Sequence, residues 1–304
     1  MKVTIDLDLL LAEGKINQAE YDKFNQFSAR GTAHLAFNIL VGFGVIAVSG
    51  AALALLPAPS TAIALGLAIS AVGLTLMYGR FDKWSVLANI CILVGALLFG
   101  GGGINVGEGS VGSFLLVAAA FACAGVLARS SLLTVLAVLA LSSCLGVRTD
   151  YFRATYFLGI QEPALTVALF TLFSVATYQL AKRLATDFQG VAIAASRTGV
   201  FLVNFGFWIG SLWGDRKLEG EIIIADWVFA ALWAIALIAS ATWAWNQNRK
   251  WLVNVAAVFG AIHFYTQWFE RLGTSAGTVL IAGLLALGFA IGLRGLNANL
   301  NKEA

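Results

Sequence analysis

Ten apolar stretches, each seventeen to twenty-three residues long, follow one another through most of this chain, at about 34–56, 62–78, 84–100, 111–128, 131–147, 163–181, 197–214, 226–245, 251–269 and 274–293. About 20 apolar residues at 1.5 Å per residue cross the hydrocarbon core of a bilayer. Inside it, only structures that satisfy every backbone polar group internally are viable. The stretches are therefore read as membrane helices. Composition agrees, since 60% of the 304 residues are hydrophobic and only 12% are charged, against roughly 25% in an ordinary soluble domain. The expected fold class is all-α, a polytopic membrane protein of about ten transmembrane helices. The expected domains are a cytoplasmic or interfacial helical hairpin at 1–33, a transmembrane domain at 34–293 and a cytoplasmic tail at 294–304. The segment "LARSSLL" decides between nine and ten helices, because Arg129 is the only charge between two apolar runs there.

Charge asymmetry orients the array. With an even count and a cytoplasmic N-terminus, fourteen of the nineteen lysines and arginines fall on cytoplasmic segments and five on exterior ones, Arg148, Arg153, Arg216, Lys217 and Arg271. That distribution follows the positive-inside rule and places both termini in the cytoplasm. Ahead of the first span, nine charged side chains in 33 residues leave no signal-peptide core. The stretch "IDLDLLLAEGKINQAEYDKFNQFSAR" reads as two short helical arms, with Gly14 at the turn, Asn17 as N-cap and Glu20 completing a capping-box spacing.

One asparagine recurs in the apolar runs. "LANICILVGAL" (87–97), "LVNFGFWIGSL" (202–212) and "LVNVAAVFGAI" (252–262) all fit L-x-N-x5-G-x-[LI], and "AFNILVGFGVI" (36–46) is a weaker match. Every match falls on an odd-numbered helix, which predicts five tandem helix hairpins stacked on one another. Asn38, Asn89, Asn204 and Asn254 become candidate polar helix-face residues. They are expected either to hydrogen-bond a neighbouring odd helix, with glycine allowing close approach, or to line a path through the bundle. On the seventh helix Arg197, Asn204, Trp208 and Ser211 share one face while Gly199, Gly206 and Gly210 lie opposite, so that helix is expected at the centre. Arg197 is expected to snorkel to the cytoplasmic surface.

A second candidate group lies toward the exterior. His263, Gln267 and Glu270 share a face of the ninth helix beside Arg271, and the loop "GDRKLEGEIIIAD" adds Asp215 and Asp226. One histidine with scattered carboxylates lacks metal-ligand spacing. The three cysteines lie in apolar runs without a CxxC pair and read as packing residues. No cofactor is expected. The small net charge of +3, spread over short loops, offers no nucleic-acid face. "GTSAG" (273–277) matches a nucleophile-elbow pattern but sits at a helix start without a preceding strand, so small-residue helix packing is expected there. "FGGGGINVGEGSVG" lacks the G-K-[ST] of a phosphate loop and is expected to be a flexible exterior loop. Acidic residues are missing from the middle of the apolar runs, which disfavours ion-coupled transport.

The segments "LLAEGKINQAEYDKF" and "HFYTQWFERLGTSAGTVLIAGLLALGFAIGL" resemble those of a group of uncharacterised bacterial multi-pass membrane proteins with a short cytoplasmic helical segment before an array of helix hairpins. The resemblance implies that fold and a bacterial inner (cytoplasmic) membrane location, and no activity. The functional expectation is an integral membrane protein that binds or permeates a small or lipid-like molecule between its hairpins, with an enzymatic role left open as the less favoured reading. The alternative is a non-transporting accessory or scaffold subunit of a membrane complex. The expected partners are membrane lipid or another membrane protein.

Overall fold

The computed structural model describes residues 10–11, 13–79, 84–146, 148–152, 155–216 and 221–302. Among these, ten α-helices follow in order: α1 (Gln18–Leu55), α2 (Pro59–Tyr78), α3 (Ser85–Val106), α4 (Val111–Leu127), α5 (Ser131–Ser143), α6 (Pro163–Ala181), α7 (Thr186–Trp213), α8 (Asp226–Asn246), α9 (Lys250–Leu272) and α10 (Ala276–Lys302). Two short antiparallel hairpins intervene. Strand β1 (Arg148–Phe152) pairs with β2 (Thr155–Gly159), and β3 (Asp215–Arg216) with β4 (Ile222–Ile224). Both hairpins fall in segments that the sequence reading leaves as plain exterior loops. Aromatic and β-branched residues in "RTDYF" and "TYFLG" suit strands.

Each helix overlaps one of the ten apolar stretches, but they do not qualify equally as spans. Six segments are long and apolar enough to cross a membrane: Phe37–Leu55 within α1, and α2, α3, α6, α7 and α8. These are the lengths and compositions of a membrane-embedded protein. Helix α5 has 13 residues, about 20 Å at 1.5 Å per residue, which is short of a hydrocarbon core of about 30 Å. At "LARSSLL" the chain turns between α4 and α5, with Arg129 in the left-handed region at φ 51°.

Two local readings hold and one fails. Gly14 adopts φ 68° at the N-terminal turn, and Asn17 and Glu20 form the reciprocal capping box, with bonds of 2.8 and 3.0 Å. From there α1 continues without a break past position 33, so the second N-terminal arm and the first apolar segment are one helix. Leu7, on the first arm, lies outside the described residues. The glycines at 100–103 are helical instead of forming a loop. A Cβ on Gly102 would lie 2.7 Å from the Pro59 carbonyl, and one on Gly100 2.6 Å from the Phe121 ring, so these glycines serve close packing.

The chain divides into two compact units, Met1–Ala137 and Val138–Ala304. The tightest pair in the first unit is α2 with α3. A Cβ on Gly66 would sit 2.6 Å from the Gly95 carbonyl oxygen, one on Gly95 2.6 Å from that of Gly66, and one on Gly73 2.8 Å from that of Ala88. Gly66 and Gly73 are seven residues apart, as are Ala88, Gly95 and Gly102, which keeps each set on one helix face. In the second unit α6 and α7 repeat the device: Gly199 receives Ser174, and Gly206 receives Val167. The Ser196 hydroxyl donates to the Ser174 carbonyl at 2.9 Å. Both tight pairs join an even helix to the following odd one, which is offset by one helix from the hairpins that the asparagine motif predicts.

Replacing Gly66 or Gly95 with leucine should lower stability by about 1–3 kcal/mol, because backbone atoms must move to admit the side chain. Gly288→Leu, where no atom lies within 4 Å of the added carbon, should be neutral. Thermal unfolding of the three variants in one detergent checks the contrast.

Candidate functional site: a cleft on α7

Helix α7 organises the second unit as its sequence predicts. Gly199 and Gly206 face α6, while Gly210 faces α8, where an added Cβ would lie 2.5 Å from the Phe229 ring. Toward α9, Trp208 Nε1 donates to Thr266 Oγ1 at 3.0 Å, and Phe201 and Phe205 meet Phe259 edge-on at centroid distances of 5.6 and 5.7 Å. Asn204 is buried, at 8% exposure. Its Nδ2 donates to the Val200 carbonyl at 2.8 Å, and its Oδ1 accepts from Trp233 Nε1 of α8 at 2.9 Å. The partner is therefore an indole on the following even helix and not an odd helix. Trp233 is fully buried, and a buried indole N–H needs such an acceptor.

This hydrogen bond forms the floor of a chamber of about 190 Å³, whose walls include Thr171, Val203, Ala236 and Ala256. An aromatic layer packs against the Trp233 side of this bond. Trp233 packs edge-on against His263 at 4.9 Å and lies 6.5 Å from Phe259, with Phe205 and Trp208 alongside. Thr171 and Val175 on α6 and Ala236 on α8 line the chamber and are exposed, so it is open along its side between those helices.

The chamber borders a wider vestibule of about 670 Å³, with which it shares Ser174, Val175, Val200 and Leu252. Lys182, at the end of α6, Arg197, in α7, and Arg249 and Lys250, at the start of α9, all line this vestibule. No carboxylate does so among the described residues. Arg197 is exposed and lies over the Trp251 ring at 4.9 Å, and Lys182 lies over the Tyr178 ring at 4.6 Å. Trp227 and Trp243 stand sixteen residues apart on α8, about 24 Å along the axis, with Trp213 at the end of α7 and Trp251 near the start of α9. Two tryptophan levels so spaced match the aromatic belts of a bilayer. Arg197 lies at the Trp243–Trp251 level although α7 begins eleven residues before it.

The other predicted residues scatter. Asn38 is buried, and Asn89 is exposed and donates to its own helix at Ser85 O, 2.8 Å away; both belong to the first unit. Asn254 does not line the chamber, and its Oδ1 is buried with no hydrogen-bond partner among the described residues. The repeated asparagine thus occupies different environments. The exterior group does not converge either. Asp215 is buried and its carboxylate accepts from Ala164 N at 3.2 Å, capping α6. His263 packs on Trp233, Gln267 is half-buried, Asp226 is exposed in the first turn of α8, and Glu270 and Arg271 are exposed at the end of α9. Among the described residues no three histidine, cysteine or acidic side chains are grouped to hold a metal. In "GTSAG", the Ser275 hydroxyl accepts from Thr278 N at 3.2 Å and Ser275 N donates to Thr278 Oγ1 at 2.8 Å, so the serine caps α10. Sequence reading missed Trp233, hidden in an apolar run, and counted Lys182, Arg249 and Lys250 only as loop charges.

Comparisons of the chain with protein-family models, curated proteins and solved structures find no match.

Two stability effects follow. Asn204→Leu and Trp233→Phe should each destabilise, and a double-mutant cycle between them should give a coupling of about 0.6–1.7 kcal/mol, the range for polar contacts inside membrane bundles. Asp215→Ala should cost about 0.5–2 kcal/mol through loss of the α6 cap. Unfolding of the variants in a common detergent measures both.

Proposed function

We propose that this protein holds a lipid-like, amphiphilic molecule in the cleft between α6, α7, α8 and α9. The observation that carries the reading is an apolar chamber that shares Ser174, Val175, Val200 and Leu252 with a wider vestibule lined by basic side chains. Such a division of surfaces suits a ligand with an apolar chain and a polar head. Binding is proposed before permeation because Asn204 and Trp233, which line the chamber, are bonded to each other and packed against Phe259 and His263. The vestibule is assigned to the cytoplasmic face because basic residues line it and lysine and arginine favour that side of a membrane, and the bacterial inner membrane is the proposed location. Asn204 also supports a second reading, an accessory subunit, since Val200 and Trp233 engage its amide within the unit.

Ala236→Trp is the test, because Ala236 lines the chamber yet is exposed, so the larger ring enters it without displacing buried atoms. Native mass spectrometry of gently purified protein should find a retained lipid-like molecule on the wild type and its loss from the folded variant. Equal retention by both would sink the binding reading, and a stoichiometric protein partner with no bound amphiphile would favour the accessory one.

A further inference from the structure

An amphiphile in this cleft places its head in the vestibule, where the charge is all of one sign. We infer that the cleft selects a membrane phospholipid with a net anionic headgroup, its phosphate placed among Lys182, Arg197 and Arg249 and one acyl chain entering the chamber between α6 and α8. The inference rests on the proposed amphiphile site.

Three observations converge on it. Lys182, Arg197 and Arg249 line one vestibule from the ends of two helices and the middle of a third, with no carboxylate among its described lining residues. Cations gathered at one mouth without acids set up a positive field that attracts an anion. Arginine's planar fork is suited to bidentate phosphate recognition. Tyr178 and Trp251 already hold Lys182 and Arg197 through their ring faces at 4.6 and 4.9 Å, which positions the cations at the mouth.

Depth identifies the source as the bilayer. The cations share the level of Trp243 and Trp251, and tryptophan belts lie at the depth of lipid headgroups. The chamber lies toward the acyl region from there, flanked on its open side by exposed apolar residues such as Leu172 and Ile235. Its volume of about 190 Å³ is a little above the roughly 150 Å³ of a cavity that accepts benzene. One chain segment fits; two chains do not. A soluble phosphate uses the cations alone and has no use for the chamber or its lateral opening.

The test reconstitutes the full chain in vesicles of equimolar phosphatidylglycerol and phosphatidylcholine, then reads by native mass spectrometry which lipid each protein keeps. The wild type should be enriched in phosphatidylglycerol. Arg197→Gln and Lys182→Gln should each reduce the enrichment about fivefold, the effect of one cation near an anionic surface. Arg183→Gln, which removes a neighbouring charge that does not line the vestibule, should leave it unchanged. Ala236→Trp should abolish retention of both lipids.

Equal retention of the two lipids by the wild type, with loss in Ala236→Trp, overturns the headgroup inference and leaves the amphiphile site standing. Retention that is insensitive to Ala236→Trp overturns both. Inorganic phosphate at millimolar concentration should not displace the lipid; displacement with undiminished phosphate binding in Ala236→Trp would make the site one for a free anion and overturn the lipid assignment. A partial loss of enrichment equal in Arg183→Gln and Arg197→Gln would assign the preference to general surface charge and also overturn it.

Discussion

Close helix approach at glycines seven residues apart sets the helix pairing in each unit. Lipid tails are as apolar as leucine, so helices in a bilayer gain little from burying apolar side chains against one another. Close contact must come from packing, and small residues permit it. On α2 and α3 that approach is reciprocal at Gly66 and Gly95. On α7, Gly199 and Gly206 draw in α6, while the opposite side of the same helix carries Asn204 and Trp208 toward α8 and α9. The cleft is a consequence: α6 and α8 are both fastened to α7 but on different sides of it, and the space between them opens beside Thr171 and Ala236.

The Asn204–Trp233 bond has two roles in this arrangement. It satisfies a donor and an acceptor that would otherwise be costly in an apolar surrounding, and it fixes the indole plane as a floor. His263 and Phe259 pack on that indole edge-on or tilted, so the floor is continuous with the core of α8 and α9, which includes Leu237, Val255 and Ala256.

Much of the helix pattern was legible in the sequence, because apolar run length reports directly on bilayer thickness. The ten stretches, the Asn17–Glu20 capping box and the central place of α7 all rest on local periodicity. Features that depend on what lies across a contact were less accessible. The glycines at 100–103 look like a loop by composition, and only their partners Pro59 and Phe121 explain why they are helical. The asparagine motif is a real sequence regularity, yet Asn89 bonds its own helix, Asn204 meets an indole and Asn254 leaves its buried oxygen with no partner among the described residues, because the motif specifies the residue and not its neighbours. Asp215 looked like an exterior ligand. Its capping of α6 spans 51 positions in sequence, a distance over which no local pattern operates.

The candidate cleft was hidden for the same reason. Lys182, Arg197, Arg249 and Lys250 entered the sequence reading as charges that set orientation, and the positive-inside rule is satisfied whether they are scattered or gathered. Gathering is the property with chemical content. Dispersed loop cations interact with the headgroup layer as a field that decays within a Debye length of about 10 Å. Cations converging on one vestibule, braced by aromatic faces and continuous with an apolar chamber, present fixed donors to one headgroup while the chamber takes its chain. A path for conduction would have to continue past the floor, and there the side chains are aromatic and interlocked. The same packing favours retention, since a chain that enters meets the Asn204–Trp233 pair and the aromatic side chains packed on it.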